Sequence, residues 1–324
     1  MNDPVEIIKA MVQPTSKLID AVSGAIGKIY EPTHVRKMAD AKAYEIKTIG
    51  QALQNNTNIP IEYTEGNVSA NTKDFDDLVK RAQSRLGYQE ICKQQNIESV
   101  TQKAYLLLSD EKECSEEPVD KDWMIRFFNS VEDISDEDMQ NLWAKILAGE
   151  VKQPKSFSLR TLETLRNLTQ KEAKTFQKVA EFVFLNAQDK CITSNEELLL
   201  KYGIDFKDIQ LLDECGLVSK QTFLQYRSKF GEKTIIFWNK KLIITAQSLS
   251  DKEVESSISI SLLTRAGAEL YNILDIDGNK DYMLDIAERV FRKCSAKAII
   301  TVNEIISING NEFEYNEQSI REYK

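Results

Sequence analysis

The spacing of apolar residues predicts helices along most of the first 190 positions of the chain. In the segment TSKLIDAVSGAIGKIY (15–30), one side of the predicted helix is apolar at steps of three and four, with Leu18, Ile19, Val22, Ile26 and Ile29. Thr15 or Ser16 is placed to cap its start. A second strip of this helix consists of small residues: Ala21, Gly24, Ala25 and Gly27. Because glycine inside a helix costs about 1 kcal/mol relative to alanine, the strip indicates close approach of another surface.

The same spacing predicts a helical bundle over residues 74–190. We expect a helical pair at 74–95 and 97–108, followed by an acidic segment, 109–122, that forms an exposed linker or mobile arm. The last helix of the bundle is expected to run from its cap at Thr169 to Ala187.

The segment DEDMQNLWAKILAGE (136–150) within this bundle is predicted to be a packing helix and not a chemical site. Ser135 and Asp138 fit a capping box, and Gly149 fits the left-handed position after a helix. The residues we expect to be structural are Met139, Leu142, Trp143, Ile146, Leu147 and Gly149. None of them suggests chemistry.

The pattern changes after Cys191, where two short helices are followed by strands. TIIFW and KLIITA form a predicted hairpin, and SISISLL (257–263) alternates at period two before a helix capped by Thr264. This order is typical of a winged-helix-like unit, and a helix at 281–294 and a hairpin near Asn309 follow it. We therefore predict a mainly α fold, a helical bundle with a C-terminal α+β winged-helix-like domain. Its three parts are an amphipathic and charged helical arm (1–53), the bundle (74–190) and the winged-helix-like domain (191–324).

Composition restricts the location and partners of the protein. The chain has 324 residues and a net charge of −9, so nucleic acid or anionic lipid would need a local basic patch. Its five cysteines contain no CxxC pair, which favours a reducing cytoplasm over a disulfide or zinc framework. The start of the chain lacks the apolar core of a signal peptide, and no uncharged apolar run reaches the length of a membrane span. We expect a cytoplasmic protein with no membrane-spanning helix and no cofactor.

The predicted wing, residues 220–241, is the best candidate for nucleic-acid binding. Its basic residues are Lys220, Arg227, Lys229, Lys233, Lys240 and Lys241, and aromatic residues lie between them. However, the helix that would enter a groove, DFKDIQLLDE (205–214), carries four acidic residues against one lysine. Phosphates would repel this helix, so nucleic-acid binding is kept as an alternative and is not favoured.

Candidate catalytic and metal-binding residues are sparse. His34 is the single histidine, and its charged surroundings favour a solvated or capping role. The segment DIDGNKD (275–281) resembles a calcium loop, but Gly278 and Ile286 depart from the pattern of an EF-hand, and we expect Asp281 to cap the next helix. We assign no catalytic residue and no metal ligand. Scattered carboxylates could still assemble a metal-dependent nuclease or hydrolase, which remains an alternative.

The N-terminal helix is predicted to be an interaction arm. The residues expected to form it are Leu18, Ile19, Val22, Gly24, Ile26 and Gly27. Three alternatives stay open for this arm: packing in a bundle or homo-oligomer, lying on a membrane surface, or forming a pore. Packing is favoured, because only Lys17 and Lys28 offer attraction to anionic lipid, and charges interrupt a membrane span.

Two stretches resemble known bacterial families. Residues 135–176 resemble the core signature of an uncharacterised family, whose usual form is "MQ-LWA-ILAGE" followed by "P-SFSLRTL--L-NL". KLIDAVSGAIGKIYEP (17–32) and the charged helix after it resemble a module shared with the Abi-alpha abortive-infection proteins. The resemblance implies a role in defence against phage, but it supplies no catalytic residues. We expect a non-enzymatic adaptor, sensor or effector that acts through protein contacts, with peripheral membrane contact as an alternative.

Overall fold

The protein consists of two compact units, Met1–Ser156 and Phe157–Lys324. A computed structural model describes residues 4–26, 61–64, 67–70, 72–186, 189–219, 224–294, 297–309 and 312–324. The division between the units falls inside the range 74–190 that the sequence predicts as one bundle. Within the described ranges, no helix is both long and apolar enough to cross a membrane.

In the residues that the structure describes, the N-terminal unit is helical, with one small hairpin. Its helices are α1 (Pro4–Ile26), α2 (Thr72–Ser109), α3 (Lys121–Val131) and α4 (Glu137–Lys152). The hairpin consists of β1 (Ile61–Thr64) and β2 (Asn67–Ala70), which pair antiparallel. Helix α1 contacts the other three helices, and α4 lies along α2. The core between them contains Leu18, Val100, Phe127 and Trp143, all with 0% exposure.

Helices α1 and α2 differ from the predicted segments. Helix α2 is continuous through Asn96, where the sequence analysis placed a break between two helices. The Asn96 side chain is used elsewhere, because its Nδ2 donates to the carbonyl of Glu132 at 2.9 Å. Helix α1 begins at Pro4 and passes through Pro14, so Thr15 is a buried residue inside a helix and not its cap.

The C-terminal unit combines short helices with a wide sheet. Its helices are α5 (Leu159–Asn167), α6 (Gln170–Ala180), α7 (Glu196–Lys201), α8 (Phe206–Glu214), α9 (Arg265–Ile273) and α10 (Lys280–Lys293). Its first strands are β3 (Phe184–Asn186), β4 (Asp189–Thr193), β5 (Val218–Ser219), β6 (Gln225–Phe230) and β7 (Thr234–Trp238). The remaining strands are β8 (Leu242–Ser248), β9 (Val254–Leu263), β10 (Ala298–Asn309), β11 (Glu312–Tyr315) and β12 (Arg321–Tyr323).

Among the described residues, a 10-stranded sheet has the order β11-β10-β8-β7-β3-β4-β9-β5, with β12 paired to β10 and β6 to β9. All of its pairings are antiparallel. Helix α10 packs against β8, β9 and β10. The side chains it buries are Tyr282, Met283, Ile286, Ala287 and Val290. The core of this unit therefore lies between α10 and the sheet.

The predicted fold class, a helical bundle with a winged-helix-like domain, is wrong, and the fold is mixed α/β. The hairpin of β7 and β8 exists as predicted, but it lies inside the wide sheet between β3 and β10. Strand β6 pairs with β9 and not with β7, although a turn of three residues separates β6 from β7. The helix expected to reach Ala187 ends at Ala180, and β3 begins at Phe184 and pairs with β4 and β7.

A close contact between α9 and the residue before β5 explains one glycine of the chain. Thr264 caps α9, and its backbone N–H donates to the carbonyl of Leu217 at 3.0 Å. A Cβ atom placed on Gly267 would lie 2.0 Å from the same Leu217 oxygen. A side chain therefore does not fit at position 267 unless the helix moves away.

Candidate functional site

The LWAKILAGE motif forms the packing surface of α4. Trp143 and Ile146 are fully buried, Met139 is nearly so, and Leu142 is half-buried. The Trp143 ring meets Phe127 of α3 edge to face, with ring centroids 5.3 Å apart. The predicted ends of this helix were wrong: Asp136 is the N-cap, accepting from the N–H of Met139, and the helix continues past Gly149 to Lys152.

Gln140 is the centre of a polar network that the sequence analysis missed. It is 7% exposed, and its Oε1 accepts from Ser99 Oγ at 2.7 Å and from Lys103 Nζ at 3.3 Å. Its Nε2 donates to the carbonyl of Ile134 at 2.9 Å and to Asn96 Oδ1 at 3.3 Å. The motif thus fixes α4 against α2 through a buried amide as well as through apolar packing. The available signal was a glutamine three residues before Trp143, on the same face of the helix.

The acidic segment after α2 is largely exposed, as expected for a linker, but it is fastened to α4 and is not a free arm. The Ser115 N–H donates to the carbonyl of Lys152 at 2.8 Å, and Lys152 Nζ lies 2.7 Å from Glu111. Lys155 forms a second ion pair with Glu117. Lys17 of α1 donates from Nζ to the carbonyl of Ser115 at 2.7 Å, and burial lowers the pKa of this lysine. Lysines therefore hold the acidic segment from both sides.

The residues predicted to form an interaction arm lie partly in the core of the N-terminal unit. Leu18 and Val22 are buried, Ile26 is half-buried and Ile19 is exposed. Gly24 is exposed, and a Cβ atom there would meet nothing within 4 Å. Gly27 and His34 lie outside the described residues. In this structure Leu18 and Val22 contact protein, which leaves Ile19 and Gly24 as the accessible part of the predicted arm.

A groove of about 630 Å³ runs between α1 and the acidic segment. The α1 side is formed by Ser16, Lys17, Asp20, Ala21 and Gly24. The opposite side includes Pro118, Lys121 and Met124. Ala21 and Gly24 of the strip of small residues thus line this groove, which separates them from the start of α3.

The basic residues of the predicted wing do not form one patch. Arg227 and Lys229 are exposed on β6, where Lys229 lies opposite Glu255 of β9. Lys233 lies over the Tyr315 ring, 5.4 Å from its centroid. At the other end of β7, Lys240 Nζ donates to the carbonyl of Leu274 at 3.0 Å and Lys241 lies 2.7 Å from Asp277. Lys220 lies outside the described residues.

The segment DIDGNKD forms a turn that starts α10. Asn279 is the N-cap and accepts from the N–H of Tyr282, so the prediction that Asp281 caps this helix was wrong. Gly278 has φ of +77°, and a Cβ there would lie 2.6 Å from Asn239 Nδ2. Lys241 lowers the pKa of the Asp277 carboxyl by a hydrogen bond and by its charge. In the part of the chain that the structure describes, no three His, Cys, Asp or Glu side chains are grouped to hold a metal.

The second half of the 135–176 signature is fastened to α9 by one carboxylate. Glu269 Oε2 accepts from the Ser158 N–H at 2.7 Å and from Thr161 Oγ1 at 2.5 Å. Arg265 lies 2.7 Å from the other oxygen. Since Ser158 is also the N-cap of α5, Glu269 places a negative charge at the start of that helix, where the helix dipole favours it. This contact joins the SFSLRTL segment to the LTRAGAEL segment.

The titratable groups with the largest shifts are poorly suited to nucleophilic chemistry. Burial raises the pKa of the Cys191 thiol to about 12 and that of the Cys215 thiol to about 11. Both thiols therefore stay protonated near neutral pH. Burial also raises the pKa of Tyr202, whose hydroxyl donates to Asp285 Oδ2 at 2.6 Å. Lys201 lies 2.5 Å from the same oxygen, so these groups form an ion pair with a supporting tyrosine.

Several large apolar side chains are exposed along α2. Tyr88 is 70% exposed, Ile91 53% and Leu106 60%. Other large apolar side chains exposed on this helix are Leu78, Tyr105 and Leu107. The sequence analysis gave no role to Tyr88 or Ile91. Of these side chains, Tyr88 and Ile91 are neighbours one turn apart on the same side of the helix, and adjacent exposed apolar side chains are a feature of surfaces that bind other proteins.

Comparison with protein-family models matched residues 80–287 to the family described as "Protein of unknown function (DUF2806)". The matched range runs from inside α2 to inside α10 and contains the LWAKILAGE motif, the Gln140 network and Glu269. It begins after the stretch that carries the Abi-alpha resemblance. The searches of curated proteins and of solved structures found no match.

Proposed function

We propose that this chain, a member of the DUF2806 family, whose description assigns no activity, has a non-enzymatic role in bacterial defence against phage. In this proposal the protein is a cytoplasmic adaptor, sensor or effector that acts through contacts with proteins, including other copies of itself. The N-terminal unit carries the contact surface.

One observation supports this proposal above the others, namely the apolar side chains exposed along α2. Tyr88 and Ile91 lie one turn apart on the same side of the helix, and Leu106 lies further along that side. Tyrosine and isoleucine on an accessible helix face lose unfavourable contact with water when a partner covers them. By contrast, the carboxylates and lysines described above take part in helix caps and ion pairs. The buried cysteines Cys191 and Cys294 are part of the packing.

The defence role itself rests on the resemblance of residues 17–32 to the Abi-alpha module. Part of this stretch lies in α1, where Lys17 fastens the acidic segment and Gly24 borders the groove. The proposal therefore places the α2 face and the exposed part of α1 in the same unit. Their roles can be separated by substitution, because Ile91 and Gly24 lie on different helices.

The test is a plaque assay on bacteria that express the protein from its own promoter and are challenged with a panel of phages. Ile91→Arg should abolish protection, because it places a charge in the centre of the exposed face. Leu200→Arg is the matched control, since Leu200 is 65% exposed but lies on α7 in the other unit. Equal plating efficiency with and without the wild-type protein would overturn the defence role. Hydrolysis of DNA, RNA or nucleotides by the pure protein with Mg²⁺ or Mn²⁺ would overturn the non-enzymatic assignment.

A further inference from the structure

We propose that the acidic segment, residues 109–122, is a latch on the turn that follows α4, residues 153–156. In this inference Glu117 holds the Lys155 side chain while the Lys155 backbone is in a strained conformation. Release of the acidic segment then opens the turn. The inference goes beyond the proposed function and does not depend on it.

The first argument is backbone strain at the end of the N-terminal unit. Lys155 has φ of +70°, and no other non-glycine residue in the described ranges has a positive φ. It lies one residue before Ser156, the last residue of the unit. The Cβ atom of a side chain disfavours this left-handed conformation by roughly 5- to 30-fold relative to the right-handed one. Other contacts must therefore hold the turn closed.

The second argument is that two carboxylates supply such contacts. The Lys155 N–H donates to Glu150 Oε1 at 2.6 Å, and Glu150 is 1% exposed. The Lys155 ammonium forms an ion pair with Glu117 of the acidic segment. Glu117 raises the pKa of this ammonium by a hydrogen bond and by its charge. A buried carboxylate is stabilised by each donor it binds, so Glu150 favours the closed turn, and Glu117 adds to this effect.

The third argument is that the acidic segment positions Glu117 through one residue, Ser115. The Ser115 N–H donates to the Lys152 carbonyl at 2.8 Å, and the Ser115 carbonyl accepts from Lys17 Nζ of α1 at 2.7 Å. Ser115 Oγ accepts from the Glu117 N–H at 3.1 Å. Ser115 thus connects α1, the end of α4 and Glu117. A change that detaches the acidic segment from α1 and α4 removes Glu117 from Lys155 as well.

The ion pair is the part of the latch that can be released most easily. The Lys155 side chain is 76% exposed and the Glu117 side chain 47%. Salt screens a pair with this exposure, whereas it screens the buried contact with Glu150 much less. The turn should therefore open more often as the ionic strength rises.

The first experiment measures hydrogen exchange of the backbone N–H at residue 155 in the full chain, expressed as a protection factor. Lys155→Ala removes the ion pair and keeps the strain, so protection should fall about two- to fivefold. Lys155→Gly removes the ion pair and the strain together, because glycine adopts positive φ without a steric penalty. Its protection should exceed that of Lys155→Ala by about fivefold or more. Equal protection in the two variants would overturn the strain argument, and protection in Lys155→Ala at the wild-type value or above it would overturn the latch.

The second experiment tests whether Glu117 is the residue that holds the turn. Glu117→Gln should lower the protection at residue 155 about as much as Lys155→Ala does. Glu116→Gln is the matched control, since it removes one charge from the neighbouring exposed residue, and it should change the protection little. Raising the salt concentration to about 1 M should bring the wild-type protection down to that of Glu117→Gln and leave the variant unchanged. A wild-type protection that does not respond to salt, or equal effects of the two substitutions, would overturn the role of Glu117.

Discussion

Gly267→Ala is expected to destabilise the C-terminal unit, although alanine is the better helix former. Gly267 lies in the first turn of α9, and its N–H donates to the capping oxygen of Thr264 at 3.1 Å. The added methyl group would lie 2.0 Å from the Leu217 oxygen, whereas real Cβ contacts stay above 3.0 Å. Helix α9 and the Leu217 backbone must therefore separate by about 1 Å or more.

The magnitude follows from what this separation disrupts. The Thr264 N–H bond to Leu217 at 3.0 Å and the Thr264 Oγ1 bond to Gly216 at 2.5 Å both connect the start of α9 to the end of α8. Overpacking costs about 1–3 kcal/mol, and each weakened hydrogen bond adds about 1 kcal/mol. Replacing glycine in a helix returns about 1 kcal/mol. The expected net loss is about 2–4 kcal/mol, or roughly 4–16 °C in Tm for a unit of this size.

Thermal unfolding followed by circular dichroism measures this loss, and Gly87→Ala provides the control. Gly87 lies inside α2, and a Cβ atom there would meet nothing within 4 Å. This control should raise the stability by about 1 kcal/mol, because only the helix propensity changes. If Gly267→Ala is as stabilising as Gly87→Ala, α9 does not approach Leu217 as closely as described and the reasoning fails.

Two further predictions concern α4 and the capping box of α6. Trp143→Ala should cost about 3–5 kcal/mol, whereas Trp143→Phe should cost clearly less, because phenylalanine keeps an aromatic ring in the core against Phe127. Neither variant gives up a hydrogen bond within the described residues, which offer no acceptor for the indole N–H. Equal losses in denaturant unfolding would contradict the packing of this ring. Glu172→Gln should lower Tm at neutral pH. The Thr169 N–H donates to the Glu172 carboxylate and lowers its pKa in the folded protein, so the charged carboxylate stabilises the fold at pH values above its unfolded pKa. As the pH falls through the depressed value this contribution is lost, so the two melting curves should converge in acid, and a constant difference would refute the assignment.

Local features of the chain could be predicted where the signal lies within a few residues. Thr169 and Thr264 cap their helices as expected, and Thr169 does so in a capping box with Glu172. The hairpins of β7 with β8 and of β10 with β11 were also predicted, since both depend on adjacent segments. Caps and turns are local interactions, so one sequence is sufficient to recognise them.

Features that depend on distant residues could not be predicted in the same way. Strand β6 has the composition of a hairpin strand, yet its partner is β9, about 30 residues further along the chain. Short strand β3 continues the apolar spacing of α6, so helical periodicity extended over it. The Gln140 network and the Glu269 contact join residues that are far apart in sequence, and neither is visible as a motif. The wide sheet was missed for this reason.

The most distinctive part of the sequence and the most accessible surface are different parts of the molecule. Gln140 and Trp143 are buried in the N-terminal unit, and Ser158 and Thr161 bind Glu269 in the C-terminal unit. The signature therefore contributes packing to both units, and its substitution should lower stability first. Tyr88 and Ile91 precede the signature and have little role in packing, so their substitution should leave stability nearly unchanged. Variants of the signature that lose protection against phage should also have a lowered melting temperature. Variants of Tyr88 or Ile91 should lose protection with an unchanged melting temperature. The melting temperature thus separates a failure to fold from a failure to bind a partner.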